Sequence, residues 1–328
     1  MMTPETVAAL RSALEAATSV LFTGPVDPDG DSFGACMALA RATSSFSDAT
    51  VHVAGKANYR YDWLPGAEDL RTDSTLLDGY DVVVVMDGDR TRLTNGVAER
   101  FAAAQTTALV DHHQSSSSEG YDVVLLDAAS PSTCEMVHRI LLSWDVPLDA
   151  DMATHLYTGI IFDTGGFKHE NTQAATHRLA AQLLELGVRP AGVHAKVLHE
   201  RTEAGLRLLG EVLTNAQFCA DGAVVVGVIP LDLANRLGIA SGDTEGVVDA
   251  MLNTAGVEVA CLVREAGSEV VKLSLRSRSR VNVAEIARSL TPMGGGHVRA
   301  AGAKVLDSLD GLMGRLPDVL AAAYHAEA

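Results

Sequence analysis

The sequence lacks the features that mark membrane, secreted and disulfide-bonded proteins. No apolar run in its 328 residues approaches the roughly 20 that a membrane helix needs. The N-terminus carries Glu5 and has no basic-then-apolar signal pattern. The cysteines Cys36, Cys134, Cys219 and Cys261 are far apart and form no CxxC pair, which favours reduced thiols over disulfides or a zinc finger. We therefore expect a cytoplasmic protein that does not contact membranes.

Basic residues are too few to balance the acidic ones. The sequence has 25 Lys and Arg against 42 Asp and Glu, which gives a net charge of −17. Proteins that bind long duplexes need a basic surface that displaces counterions, so this charge argues against a long nucleic-acid track. A small phosphorylated ligand is still compatible with this net charge. Metal ions and a few local arginines can hold such a ligand despite the repulsion from the negatively charged protein.

The order of hydrophobic segments predicts an α/β protein with two domains. In the first half, β-branched runs such as Val82–Met86 alternate with helical segments, as in a doubly wound parallel sheet. A second α/β unit follows, in which we predict one helix over 309–324 that breaks or kinks at Pro317. We expect a first domain over residues 1–188, a linker over 189–204 and a smaller second domain over 205–328.

Acidic residues follow the ends of several predicted elements. Ligands bind outside the carboxyl ends of strands in open α/β sheets, so these side chains should meet in one crevice. So many carboxylates are costly to cluster without cations, and oxygen ligands with imidazole favour Mn²⁺ or Mg²⁺. Each motif alone could instead be a turn, a helix cap or a helix stop. The residues are Asp27, Asp29 and Asp31 after the first strand, Asp87 and Asp89 after Val82–Met86, Asp111-His112-His113 after 107–110, and Asp163 after an apolar helix.

A second candidate cluster lies near the C-terminus. The glycines Gly294, Gly295 and Gly296 would expose successive backbone N–H groups to an anion, and an adjoining helix start would add its dipole. A flexible glycine turn and an exposed basic strand end remain the alternatives. Nearby guanidinium and imidazole groups favour phosphate or base recognition. They belong to Arg276, Arg278, His297 and Arg299.

Together these motifs resemble the DHH phosphoesterases, in the nanoRNase (oligoribonuclease) and pAp-phosphatase branch with a C-terminal DHH-associated domain. The resemblance runs over nearly the whole chain. Its motifs are Asp29-Gly30-Asp31 with Gly34, Asp87, Asp111-His112-His113, Ser132-Thr133-Cys134-Glu135, Tyr157 to Asp163-Thr164 with Phe167, Leu275-Arg276-Ser277, and Gly294-Gly295-Gly296-His297 to Gly302.

The resemblance implies an enzyme with two divalent ions, Mn²⁺ first and Mg²⁺ as the alternative, and an active site in the cleft between the domains. Asp29 would bind the first ion, Asp87 would bridge both, and Asp31, His112 and Asp163 would bind the second. His113 would contact the scissile phosphate or protonate the leaving group. The remaining nucleotide would be held by Arg276, Arg278, Gly294, Gly295, Gly296, His297 and Arg299.

One position departs from the pattern of the family. A histidine normally stands four residues before the first motif's Asp29, and here that position is Pro25. RecJ-type nucleases lack this histidine and carry Asp-x-Asp, so Asp27 is a candidate replacement ligand. The alternative is a first site that is one ligand short.

The resemblance leaves several functions open. We expect hydrolysis of two-to-four-nucleotide RNA to nucleoside 5′-monophosphates, of pAp to AMP, or both. The alternatives are a phosphodiesterase for pApA or cyclic di-AMP, a family II pyrophosphatase, which the C-terminal signature disfavours, and a degenerate non-catalytic nucleotide-binding protein. The oligomeric state, including a homodimer, is left open.

Overall fold

The protein, seen here as a computed structural model, divides into two compact units between Glu200 and Arg201. The structure describes residues 2–240, 242–278 and 281–327. The predicted linker 189–204 spans this division, and its residues 190–199 form a short helix followed by a π-helical turn. Within the described ranges, no helix is both long and apolar enough to cross a membrane.

The first unit alternates strands and helices, as the sequence predicts. Its elements are α1 (Pro4–Ala16), β1 (Ser19–Thr23), α2 (Gly30–Thr43), β2 (Thr50–Ala54), β3 (Val82–Met86), α3 (Asn95–Ala103), β4 (Thr106–Asp111), β5 (Val123–Leu126), α4 (Thr133–Ser143), α5 (Ala150–Asp163), α6 (Ala174–Glu185) and α7 (Pro190–His194).

The described strands of this unit form one parallel sheet in the order β2-β1-β3-β4-β5. Apolar clusters cover both of its faces, which confirms the doubly wound parallel sheet. The strand order reverses between β1 and β3, and such a switch point leaves a crevice at the carboxyl ends of the two strands. The acidic residues after β1 and β3 therefore begin at the place where α/β folds bind ligands.

Helices α2 and α5 cross closely behind this crevice because glycine occupies both sides of the crossing. A Cβ on Gly34 would lie 2.4 Å from the carbonyl oxygen of His155. A Cβ on Gly159 would lie 2.3 Å from Sγ of Cys134 and 2.5 Å from Oδ1 of Asp31. Any larger residue would push the helices apart and displace the Asp31 carboxylate.

The second unit is a smaller α/β unit with its own apolar cores. Its described strands form a mixed sheet in the order β10-β11-β9-β8-β7-β6, in which β7 and β8 are parallel. The elements are α8 (Glu203–Thr214), β6 (Gln217–Cys219), β7 (Val224–Ile229), α9 (Leu231–Leu237), α10 (Val247–Leu252), β8 (Val259–Gly267), β9 (Val270–Ser277), α11 (Val283–Leu290), β10 (Gly294–His297), β11 (Ala300–Val305), α12 (Leu309–Met313) and α13 (Leu316–Glu327).

The structure differs in detail from two local predictions for this unit. The glycine triplet forms strand β10, paired antiparallel with β11, so the expected helix start does not adjoin it. The predicted break in the C-terminal helix is present, but it lies at residues 314–315, just ahead of Pro317, which falls in the first turn of α13. A proline is tolerated there because the first-turn N–H groups have no partner within the helix.

Candidate active site

Four predicted site residues from different elements converge at the switch point of the first unit. Nε2 of His112 lies 3.0 Å from Oδ2 of Asp163, 3.6 Å from Oδ1 of Asp87 and 4.0 Å from Oδ2 of Asp31. Asp31, Asp87 and His112 are buried, and Asp163 is partly buried. Residues from the ends of β3, β4 and α5 and the start of α2 thus share one point.

Asp31 is held by the N-terminus of α4, a helix more than 100 residues further along the chain. Its Oδ2 accepts a hydrogen bond from the backbone N–H of Thr133 at 2.6 Å, and its Oδ1 accepts one from Cys134 at 2.9 Å. The first N–H groups of a helix have no partner within it, and its dipole favours negative charge there. Helix α4 therefore fixes the Asp31 carboxylate and partly offsets the cost of burying it.

Asp87 has a left-handed backbone and two hydroxyl donors. Its φ of 58° is unusual for a residue other than glycine, although Asp tolerates it better than most. Oγ of Ser32 donates to Oδ2 at 2.5 Å, and Oγ1 of Thr133 donates to Oδ1 at 3.3 Å. The turn and the two donors direct this carboxylate towards His112.

The two histidines of the third motif have different partners. Nδ1 of His112 lies 3.2 Å from the carbonyl oxygen of Ser130, so it carries the proton and leaves Nε2 to face the carboxylates. Nδ1 of His113 instead pairs with Oδ1 of Asp111 at 2.7 Å, and Ser116 donates to the other oxygen of Asp111. Asp111 thus orients His113, as a carboxylate orients an acid–base histidine.

The acidic side chains of the cluster and His112 shift one another's pKa values. Burial raises the pKa of Asp31 to about 7, with the neighbouring Asp163 carboxylate adding to the effect. Burial and the nearby Asp31 raise the pKa of Asp87 to about 7. Burial lowers the pKa of His112, but Asp163 and the other carboxylates outweigh it and raise that pKa well above its ordinary value. These shifts share one cause, the burial of several negative charges at one point, and a cation would oppose them.

These residues fit a divalent cation. Oδ2 of Asp163 is buried and lies 3.0 Å from Nε2 of His112. Three buried or partly buried carboxylates around a single imidazole are costly unless further positive charge compensates them, as a bound ion would. Single atoms of Asp31, Asp87 and His112 lie within 4.8 Å of one another, so one ion could reach all three. Carboxylate oxygens with one imidazole nitrogen suit Mn²⁺ or Mg²⁺.

The first-motif residues Asp29 and Asp27 differ in their surroundings. Asp29 caps α2, with Oδ1 accepting from the backbone N–H of Asp31 at 3.0 Å and of Ser32 at 3.1 Å. Burial, followed by the Asp87 and Asp163 carboxylates, raises its pKa to about 8, so Asp29 belongs electrostatically to the cluster. Asp27 lies exposed in the bend that precedes α2. Its role as a replacement ligand stays a prediction.

The predicted substrate residues of the second unit lie on neighbouring strands. Arg276 is on β9, directly opposite Ala300 of β11, and Arg278 and Arg299 lie just outside these strands. Nη1 of Arg299 donates to the carbonyl oxygen of Arg278. The glycines 294–296 and His297 form the adjoining strand β10. The structure thus brings these residues together within their own unit.

Matches to family models cover both units. The model of the DHH family N-terminal domain matches residues 19–160, and the DHHA1 domain matches residues 221–325. A Thermus thermophilus protein named "bifunctional oligoribonuclease and PAP phosphatase NrnA" is 32% identical over 286 residues, covering 87% of this chain and 83% of its own length. The chain belongs to the DHH family. A Bacillus subtilis protein of the same name is 23% identical, with 85% and 87% coverage. The DHH assignment made from the motifs, in the oligoribonuclease and pAp-phosphatase branch, is confirmed.

Solved structures of DHH-like architecture share the fold. The crystal structure of an exopolyphosphatase-related protein from Bacteroides fragilis has a TM-score of 0.86 at 24% identity, covering 98% of this chain and 96% of that one. RecJ from Thermus thermophilus in complex with Mn²⁺ has a TM-score of 0.58 at 16% identity and 98% coverage of this chain, but 54% of its own. At these identities the likeness concerns the fold alone.

The family motifs give no role to several residues that support the proposed ligands. Ser32, Ser130 and Thr133 hold Asp87 or His112, and Ser116 holds Asp111. One signal was available in the sequence. Ser132-Thr133-Cys134-Glu135 has the pattern of a helix N-terminus, and Oγ of Ser132 does accept from the backbone N–H of Glu135.

Proposed function

We propose that this DHH-family hydrolase is a metal-dependent phosphoesterase that cleaves two-to-four-nucleotide RNA to nucleoside 5′-monophosphates and removes phosphate from pAp. The convergence of Asp31, Asp87, Asp163 and His112 on one point carries the proposal. The printed names of relatives at 32% and 23% identity support the substrate class. The cysteines of the described chain are free thiols, which favours the cytoplasm.

Two divalent ions, with Mn²⁺ preferred, are proposed as the cofactors. Asp31, His112 and Asp163 would hold one ion, Asp29 the other, and Asp87 would bridge them. Asp27 is proposed as the further ligand that replaces the absent imidazole at Pro25. Bound there, the ions would neutralise the phosphoryl oxygens and supply a water acidic enough to attack at neutral pH.

The residues of the chain would supply orientation and a proton. Ser32 and Thr133 hold Asp87, and the α4 N–H groups hold Asp31, so little reorganisation is needed when charge develops. Asp111 fixes Nδ1 of His113, which leaves Nε2 to donate a proton to the leaving oxygen. Burial opposes protonation of His113, but in the protein alone Asp111 and Asp87 raise its pKa to about 9.

The length limit follows from the charge of the chain. A net charge of −17 provides no basic track for a long strand. The arginines at 276, 278 and 299, with His297 and the strand of three glycines, are proposed to hold a phosphate or base of a short nucleotide.

A substrate panel with Mn²⁺ tests the proposal. We expect turnover of pAp and of two-to-four-nucleotide RNA, and a steep fall in rate towards a 24-nucleotide RNA at the same salt. Equal rates on the 2-mer and the 24-mer would refute the length limit. Preferential cleavage of pApA or cyclic di-AMP would favour the dinucleotide phosphodiesterase instead.

A variant of the bridging residue separates an enzyme from a binding protein. Asp87→Ala should lower the rate on bis-p-nitrophenyl phosphate by at least the 10²–10³ typical of losing one transition-state-stabilising group. Asp78→Ala, which removes an exposed carboxylate of the same unit, is the matched control and should keep the wild-type rate. Near-normal turnover of Asp87→Ala at saturating Mn²⁺ would reject the assignment. Wild-type protein without metal-dependent turnover would indicate a non-catalytic nucleotide binder.

A further inference from the structure

Arg276 in β9 and Arg278 just beyond its end each contact the same helical segment of the second unit. Nε of Arg276 lies 3.6 Å from Oδ1 of Asp249, and Nη2 of Arg278 donates to Oδ1 of Asn253 at 3.0 Å. Asp249 and Asn253 are four residues apart, so they lie on one face of α10 and its C-terminal end. Arg276 and Arg278 are two apart and share one side of an extended segment. The spacing of Asp249 and Asn253, about one helical turn, therefore matches the spacing of Arg276 and Arg278, two residues along an extended segment.

The partners differ in charge. Arg276 faces a carboxylate, whereas Arg278 faces a neutral amide. Nη1 of Arg276 also donates to the carbonyl oxygen of Leu275 at 3.1 Å, and no described residue hydrogen-bonds to its Nη2. Asp249 and the Leu275 carbonyl thus orient the guanidinium of Arg276, and its Nη2 can donate to a ligand. Arg276 and Asp249 are about a third exposed, at 33% and 29% of the side chain, so a ligand can reach this pair.

We propose that Asp249 is a specificity-determining residue that tunes Arg276 to bind a singly charged phosphodiester in preference to a terminal phosphate. This rests on the proposed function, in which Arg276 holds the phosphate that is not hydrolysed. Asp249 repels any phosphate bound by Arg276, and the repulsion scales with the charge of the phosphate. A terminal phosphate carries nearly two charges above pH 7, whereas an internucleotide phosphodiester carries one. The chain should therefore favour oligonucleotides over pAp.

The size of the effect follows from Coulomb's law. The second negative charge of a terminal phosphate on Arg276 would lie roughly 6 Å from the Asp249 carboxylate in a largely solvated site. Repulsion between these two unit charges lowers the affinity for that phosphate about fivefold relative to a singly charged diester. Salt screens part of this, so the effect should shrink as ionic strength rises. The long Nε to Oδ1 distance argues that the pair itself adds little to the stability of the fold.

The test compares two substrates that differ in the charge of the non-reacting phosphate. In pAp this phosphate is terminal, and in the triribonucleotide ApApA without end phosphates it is an internal diester. Initial rates at pH 8, low salt and saturating Mn²⁺ give the ratio of kcat/KM for pAp to that for ApApA. Asp249→Asn should raise this ratio about fivefold, chiefly through a lower KM for pAp. Asp249→Glu keeps the charge and should keep the wild-type ratio.

Controls separate this inference from the proposed function. Asp232→Asn removes an exposed carboxylate from the first turn of α9, in the same unit, and should leave the ratio unchanged. An unchanged ratio in Asp249→Asn, or an equal loss on both substrates, would overturn the inference while the proposed function stands. Wild-type protein inactive on both substrates would overturn both. Should Asp249→Asn fail to fold, Asp249→Ser serves the same comparison.

Discussion

Replacing Ser32 by alanine tests whether hydroxyl support of Asp87 sets the affinity for metal. Ser32 is 1% exposed, and its Oγ donates to Oδ2 of Asp87 at 2.5 Å. The other donor, Thr133, is more distant from Oδ1 at 3.3 Å, so Ser32 makes the stronger of the two bonds. A hydrogen bond to a charged group is worth about 1.5–3 kcal/mol, and removing one that supports a metal ligand typically costs about 10–100-fold in affinity.

We expect Ser32→Ala to raise the Mn²⁺ concentration for half-maximal activity by about 10–100-fold. The rate at saturating Mn²⁺ should change little, because the Asp29 cap uses the backbone N–H of Ser32 and survives the substitution. The assay is a Mn²⁺ titration of bis-p-nitrophenyl phosphate hydrolysis, paired with calorimetric titration of Mn²⁺. The calorimetry reports affinity without relying on turnover.

Ser44→Ala is the matched control. Ser44 follows the C-terminal end of the same helix, and its Oγ donates to the carbonyl oxygen of Ala40 and not to a carboxylate of the cluster. Its Mn²⁺ curve should coincide with that of the wild type. A Ser32→Ala curve that also coincides would show that the hydroxyl does not support Asp87.

Three further predictions concern the same unit. Asp27→Asn should raise the Mn²⁺ concentration for half-maximal activity at least about tenfold, roughly 1.4 kcal/mol, and an unshifted curve would mean that the first site is one ligand short. Gly159→Ala should lower the free energy of unfolding by about 1–3 kcal/mol and impair activity, because the alanine Cβ would collide with Cys134 and Asp31. A variant with the melting temperature and activity of the wild type would contradict the close crossing of α2 and α5. Mn²⁺ at 100 times its dissociation constant should stabilise the protein by about 2.7 kcal/mol in denaturant unfolding, and no stabilisation would argue against a metal site in the folded state.

The sequence predicted the features that depend on local pattern. Strand Val82–Met86 has the predicted bounds, because five consecutive apolar residues suit a strand buried on both faces. The positions of Asp31, Asp87, His112 and Asp163 followed from where apolar segments end. Asp87 and His112 come together because the carboxyl ends of parallel strands share one edge of the sheet, whereas Asp31 and Asp163 lie on helices α2 and α5.

Features that depend on distant contacts could not be predicted in this way. Thr133 and Cys134 donate to a carboxylate 102 and 103 residues away, and nothing in their own segment specifies that acceptor. Strand β10 was missed because glycine disfavours strands. Close packing against α11 requires glycine in this strand, because a Cβ on Gly294 would lie 2.0 Å from the carbonyl oxygen of Ala287.

The buried carboxylates around His112 also bear on how much enzyme a cell would contain. Without a cation, Asp31 and Asp87 become protonated or repel each other, and either state costs folding free energy. Proteases remove chains that unfold, and a loss of 1–2 kcal/mol can change protein abundance several-fold. Scarcity of divalent metal would then shorten the lifetime of this protein as well as stop its reaction. If the cluster holds a divalent metal as proposed, it would link the abundance of the protein to the supply of that metal.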